Sequence, residues 1–374
     1  MMSSTWSIAV ADEGRQGSTI DGEERLSACP ICLDARYAEP YELREMLFGT
    51  RERFDYLLCR GCGTMRIARI PSDLARHYPP DYYDGGGVEP TEPTSRHRSL
   101  AAAAGAIRDD ALLLGRRKWL SRLMRFWAPP VAAEVRRVSA FTRRAGLQSF
   151  DDPILDVGCG RRATNLLKLH RVGFRRLVGI DPFLEGDRDF AGISLRRRSI
   201  EEQSGSFQVI TFHHSFEHVP DPEATLAAAA RRLRPGGVVL IRTPVMGTWF
   251  WERFRTAWWE LDPPRHLWVH TRASLELVAG RAGLELVDIV WDSTYVEIIA
   301  SKQIARDVAW REQGSWYCDP PAGFDAETIA RYRSQVATLN DEGRAGRAGF
   351  YFRRTDGAKA GGPAPMDEAA ELVA

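Results

Sequence analysis

The sequence predicts an α/β fold, a doubly wound and mostly parallel sheet, and three observations point to it. Short apolar runs alternate with helical patterns from Pro153 onward. The first run, Ile154, Leu155 and Val157, leads into Gly158-Cys-Gly160, where the backbone can turn sharply and a ligand can approach it closely. The second run, Leu177–Ile180, ends on Asp181. An acid at the tip of a second strand, roughly 20 residues past the glycines, is placed to accept hydrogen bonds from two ribose hydroxyls. The crevice therefore fits a nucleoside.

The remaining elements follow in order. Residues 1–25 are polar and aperiodic and read as a disordered leader. Residues 26–84 hold Cys29-Pro-Ile-Cys32, a strand-like stretch Phe54–Leu58, and Cys59-Arg-Gly-Cys62. Each CxxC makes a tight knuckle aiming two thiolates at one point, and two knuckles supply the tetrahedral sulfur shell that zinc prefers. Four thiolates leave no open coordination position, so this zinc is expected to be structural. The 26 residues between Cys32 and Cys59 require an intervening hairpin. The aromatic stretch from His77 to Tyr83 either packs or walls a substrate cleft. A Gly/Pro/Thr-rich linker spans 85–98, and a helical segment spans 99–150. In that segment Arg116, Arg117, Lys118, Arg122 and Arg125 read as a solvated helix face rather than a phosphate site.

Within the core, Asn165–His170 is the helix after the glycines and Ile193–Arg196 the third strand. The fourth, Gln208–Phe212, ends in His213-His214-Ser215-Phe216-Glu217-His218. Asp221 caps a helix with Pro222 at its first position, running through Arg234. Pro235-Gly236-Gly237 stops it and turns into a fifth strand, Val238–Arg242. Residues 244–270 carry Trp249, Trp251, Trp258, Trp259 and Trp268 and read as a helical lid ending in Asp262-Pro-Pro-Arg265-His266-Leu267. A helix at Thr271–Ala282, a strand at Leu284–Val290, a mostly helical stretch from Tyr295 and a last antiparallel strand at Gly349–Arg353 complete the core. Residues 355–374 read as a disordered tail.

The chain has 374 residues, a net charge of +1, 44% hydrophobic and 27% charged residues. That balance makes an ordinary core and gives no global argument for a nucleic-acid partner. No apolar run approaches the ~20 residues of a membrane span. The amino terminus lacks the pattern of a signal peptide, so a cytoplasmic protein is expected, where paired cysteines favour metal over disulfides.

LDVGCG, GID, SFEHVPDP, LRPGG and DPPRHLW, in this order, resemble a class I S-adenosylmethionine-dependent methyltransferase, of the branch with an amino-terminal zinc-binding module and an association with sugars and polysaccharide. The likeness covers Cys29 to about Arg354. It implies a Rossmann-like, seven-stranded, doubly wound sheet preceded by a small zinc-ribbon-like module. It also implies that Asp156, Gly158 and Gly160 line the methionine end of the cofactor and Asp181 the ribose, with Ile200 near the adenine and His214 also among the cofactor-binding residues. Arg162 departs from the pattern: the family usually has a third glycine there. The arginine either bonds the cofactor's carboxylate or obstructs the loop.

A hydroxyl acceptor must lose a proton, and a neutral imidazole suits that task, with an ordinary pKa of ~6.5. His213, His214, His218, His266 and His270 all fall in the relevant stretches. His266 is the first choice as base and His218 the second. Glu217 reads as an orienting group. Arg265 either binds an acidic group of the acceptor or pairs with Asp262. The tryptophans and tyrosines suit a sugar ring, which makes a nucleotide-linked or glycan hydroxyl the leading acceptor. Two other readings stay open. Gly158-x-Gly160-x-x-Ala163 with Asp181 also satisfies a dinucleotide fingerprint, as in an NAD-dependent oxidoreductase. A spoiled cofactor loop would leave a non-catalytic glycan- or partner-binding protein.

Overall fold

Strands that are apolar on both faces must be covered on both faces, and the core runs pair in parallel as that requires. The structure, a computed structural model, describes residues 28–37, 40–79, 100–116, 118–123 and 131–355. The leader, the linker at 85–98, Arg117, Arg125 and the tail beyond Thr355 lie outside the described residues.

The amino-terminal module is a hairpin, β1 (Tyr41–Arg44) and β2 (Arg53–Leu58), followed by β3 (Met65–Ile67), with one cysteine knuckle on either side of the hairpin. This is the intervening hairpin that the long spacing between the CxxC pairs requires. Three helices follow: α1 (Leu100–Leu114), α2 (Lys118–Leu123) and α3 (Ala133–Arg144). Arg116, Lys118 and Arg122 are solvent-exposed, as a solvated face should be.

The core then alternates β4 (Ile154–Val157), α4 (Thr164–Arg171), β5 (Leu177–Ile180), β6 (Arg188–Phe190), β7 (Ile193–Arg196), β8 (Phe207–His213), α5 (Pro222–Arg232) and β9 (Leu233–Pro244). After α6 (Trp249–Phe254) and β10 (Trp268–Val269) come α7 (Arg272–Arg281), β11 (Leu284–Trp291), α8 (Tyr295–Ile304), α9 (Ala326–Asp341) and β12 (Arg347–Arg354). The large sheet runs β11-β12-β9-β8-β4-β5-β7-β6. From β9 to β7 the strands are parallel, whereas β12 is antiparallel to both its neighbours. The Asp221 side chain caps α5 by accepting from the Ala224 N–H, with Pro222 at the first helical position.

The sheet has eight strands where the sequence reading has seven. The extra edge strand, β6, pairs antiparallel with β7. Its residues Arg188-Asp189-Phe190 carry no apolar alternation, so nothing local announces them. Strand β9 also starts earlier than expected: α5 ends at Arg232, and Pro235-Gly236-Gly237 lie within the strand span across a shift in its register against β8.

The larger correction concerns residues 244–270. Only Trp249–Phe254 forms an α-helix, and the end of the segment, β10, pairs antiparallel with β3 as the fourth strand of the amino-terminal sheet. Trp251, Trp258 and Trp268 are buried, not arrayed over a cleft. Trp251 meets Tyr41 of β1 edge-on at 5.3 Å, and Trp259 lies 5.0 Å from Trp310. Trp251, Trp258 and Trp268 belong to the core that joins the two sheets and α8, whereas Trp259 packs on a small separate cluster with Met46 and Ile304. Indoles bury large areas wherever a partner exists, and the sequence does not name the partner.

Candidate active site

The carboxyl ends of β4, β5 and β8 meet at the glycine loop. Gly158 has φ +71° and Gly160 φ +65°, a region costly for other residues. A Cβ on Gly158 would stand 2.4 Å from Ser215 Cβ, and Ser215 Oγ–H donates to the Val157 carbonyl (2.6 Å). Only glycine therefore lets β4 and the loop after β8 approach so closely. Asp181 is buried at the end of β5. Its Oδ2 accepts from the Gly160 N–H (3.1 Å) and its Oδ1 from the Phe183 N–H (2.9 Å). Each oxygen keeps a further lone pair, as a partner for ribose hydroxyls needs. Burial raises its pKa, and those two N–H groups oppose the rise. The glycine conformations and the anchored acid fit the ribose and methionine ends of S-adenosylmethionine.

Asp156 lies beneath the loop, with Oδ1 accepting from Thr211 Oγ1–H (2.7 Å). Burial, with the Asp181 charge adding to it, pushes its carboxyl up to about 7 against the pull of Thr211. Ile200 is buried in the main core. Arg162 is half-buried just ahead of α4. A cavity of about 470 Å³ lined by Arg161 and residues 184–188 opens beside the loop.

The histidines gather after β8. His214, at φ +53°, accepts from Arg242 Nη1–H through Nε2, so its proton sits on Nδ1, 3.3 Å from Glu217 Oε1. Glu217 is fully buried, with Oε2 accepting from Thr243 Oγ1–H (3.0 Å). Burial alone would raise its pKa, but His214, His266 and His218 outweigh it and hold the carboxyl at about 2. His218 Nδ1 lies 2.8 Å from the Arg265 carbonyl, and His266 Nδ1 lies 2.8 Å from the Glu260 carbonyl. A carbonyl only accepts, so both imidazoles carry a proton on Nδ1, which leaves Nε2 as the nitrogen that can present a lone pair. Burial presses the His218 pKa down to about 4, with His266 adding to it, which keeps His218 neutral near pH 7. The rings of His218 and His266 stand 4.9 Å apart. His213 and His270 are pressed down likewise by burial, to about 3 and about 4. His270 lies 3.2 Å from Ser274 Oγ and stacks on Trp268, a packing position.

The amino-terminal module reaches this cluster. Tyr78 stacks on Phe183 at 5.9 Å, stands 3.1 Å from His218 Nδ1 and donates to the Arg265 carbonyl (3.3 Å). Arg265 is fully buried and donates to Asp262, to Glu45 (2.7 Å) and to the His77 carbonyl (3.2 Å). Of its two expected roles, the pairing with Asp262 is the one present, and Glu45 joins it. Leaving such a buried charge without its partner costs about 3–5 kcal/mol. Neither Tyr78 nor Glu45 stands out in the sequence as a site residue. The His77–Tyr83 aromatic run was the signal for Tyr78, whereas Glu45 had none.

The four cysteines converge. Cys29 and Cys62 Sγ lie 3.8 Å apart, Cys32 and Cys59 Sγ 3.4 Å, and all four within 4.8 Å of one another. Tetrahedral zinc with bonds of ~2.3 Å spaces its sulfurs by roughly 3.8 Å. The donor set and spacing fit zinc.

Known proteins are similar to this chain over part of its length. Residues 115–289 match a family model described as a methyltransferase domain. That stretch, which carries the glycine loop, Asp181, Glu217 and both histidines, is thus similar to a methyltransferase domain. A ubiquinone biosynthesis O-methyltransferase of Xanthomonas oryzae pv. oryzae is 35% identical over 102 residues, 24% of this chain and 42% of that protein. One from Pseudomonas paraeruginosa is 33% identical over 122 residues, 29% of this chain and 50% of that one. The chain thus spans half or less of the length of these curated relatives. Among solved structures, an S-adenosylmethionine dependent methyltransferase from Mesorhizobium loti is similar at a TM-score of 0.37 and 16% identity, covering 60% of this chain and 98% of that one.

Proposed function

We propose that the whole protein is an S-adenosylmethionine-dependent O-methyltransferase whose acceptor is a hydroxyl of a sugar, glycan or related small molecule, and that it works in the cytoplasm. The observation that carries the activity is that Ser215, packed against Gly158, leads into Glu217 and His218 with His266 beside them, both imidazoles having Nδ1 tied to a carbonyl and Nε2 left for the acceptor. The relatives' description as O-methyltransferases supports a hydroxyl acceptor. The sugar rests on the sequence resemblance, and Tyr78 with exposed Phe183 is the aromatic surface for it in place of the buried tryptophans. Among the described residues no helix is long and apolar enough to cross a membrane.

S-adenosylmethionine, when bound, supplies a methyl group made electrophilic by its sulfonium. Gly158, Gly160, Asp156, Asp181, Ile200 and His214 would hold it. His266 takes the acceptor's proton on Nε2 while the Glu260 carbonyl fixes Nδ1–H, and Glu217, 4.0 Å from that Nε2, stabilises the imidazolium that forms. His218 is the second base and shapes the floor of the loop. Cys29, Cys32, Cys59 and Cys62 hold a structural zinc that keeps Tyr78 and Glu45 in place.

Calorimetric titration with S-adenosylmethionine, its demethylated product and NAD in parallel tests the cofactor. Binding of the first two alone is expected, and binding of NAD alone overturns the reading. With a panel of nucleotide sugars and glycans, His266→Ala is expected to lower turnover by at least ~10²-fold with cofactor affinity nearly intact. Wild-type turnover in that variant removes His266 as base.

A further inference from the structure

We propose that Glu217, His218 and His266 form a second metal site, distinct from the four cysteines, that takes a borderline divalent cation such as Zn²⁺. One donor atom from each residue lies within 4.8 Å of the others, and His266 Nε2 is 4.0 Å from Glu217 Oε1. Ligands held by zinc at about 2.0–2.1 Å stand roughly 3.3 Å apart, so side-chain shifts of under about 1 Å close the site.

Three features point to a cation. Both histidines have Nδ1 tied to a backbone carbonyl, of Arg265 and of Glu260, the arrangement that orients metal-ligating imidazoles and leaves Nε2 to coordinate. Glu217 is fully buried, and its Oε1 faces His214 Nδ1 at 3.3 Å and His266 Nε2 at 4.0 Å. A buried carboxylate oxygen facing an imidazole Nε2 is a donor pair that a cation can bridge. Finally, the neighbours do not compete: His214 spends its Nε2 lone pair on Arg242, and Asp262, though 3.9 Å from His266 Nε2, is engaged by Arg265. Two imidazoles and one carboxylate leave zinc an open position.

The cation would occupy the lone pairs that the proposed base uses, so it acts as a brake. That consequence rests on the proposed base, whereas the site itself does not. The full chain carrying its cysteine-bound zinc is titrated with ZnCl₂ in a calorimeter, without cofactor or acceptor. One further equivalent per chain is expected, absent in His218→Ala and in His266→Ala, while elemental analysis shows the cysteine-bound equivalent retained. Cobalt added to the same wild-type chain is expected to give ligand-field bands without new sulfur-to-metal charge transfer, a readout independent of any variant. No further equivalent, an equivalent that survives both substitutions, or new sulfur charge transfer overturns the site. Added Zn²⁺ is expected to suppress methyl transfer at least ~10-fold. If binding occurs but transfer rises, the site stands and the base assignment falls.

Discussion

Tyr78 Oη stands 3.1 Å from Nδ1 of His218, across 140 positions of sequence. The hydroxyl also donates to the Arg265 carbonyl, the group that fixes the His218 proton on Nδ1. A residue of the cysteine-bearing module thus helps set which nitrogen of a core histidine holds its lone pair.

Tyr78→Phe keeps the stack on Phe183 and removes only the hydroxyl. A net hydrogen bond is worth about 0.5–1.5 kcal/mol, so turnover is expected to fall roughly 3–10-fold. Affinity for S-adenosylmethionine, measured by calorimetry, is expected to stay within about twofold. An equal loss in both would mean that Tyr78 acts through the fold of the loop.

Asp181→Ala is expected to weaken S-adenosylmethionine by about 1.5–3 kcal/mol, the loss of a charged acceptor. Because Asp181 also holds the Gly160 N–H, the variant needs a folded control, and a thermal melt without ligand supplies it. Unchanged affinity in a folded variant would place the cofactor elsewhere.

Asp156 gives a pH signature. Its folded pKa, about 7, is above the ordinary carboxyl value of ~3.9, so between those values the folded chain keeps a proton that the unfolded chain has released. Stability from this group is therefore present at low pH and is lost as pH rises towards 7. In denaturant titrations without cofactor, wild type is expected to lose on the order of 1–3 kcal/mol more than Asp156→Asn between pH 5 and 8. The asparagine oxygen still accepts from Thr211. Parallel curves for the two proteins would mean that Asp156 is ionised throughout.

Cys59→Ser combined with Cys62→Ser is expected to abolish the zinc proposed at these cysteines, as read by elemental analysis, because two thiolates cannot complete the shell. Since β3 pairs with β10, and Glu45 with Arg265, the loss should lower methyl transfer as well as module stability. Full metal content in the double variant would show that these cysteines are not the ligands.

What the sequence determined by itself is local. The run Ile154–Val157, the two glycines and Asp181 specify strand, turn and acid within about thirty residues, and the third strand falls on Ile193–Arg196 in both. The CxxC pairs likewise declare their convergence, because each knuckle is a short-range turn. What only the tertiary structure decided is who meets whom. Trp268 and Val269 form a strand only because β3 offers them an edge; two residues carry no period of their own. Arg265 reads equally as an acceptor-binding cation or a structural one until Glu45, 220 positions away, closes on it. The histidines were visible as residues, but the lone pair each presents depends on a carbonyl brought up by folding. Hydrogen bonds between distant segments select the chemistry here, and sequence pattern reports only on neighbours along the chain.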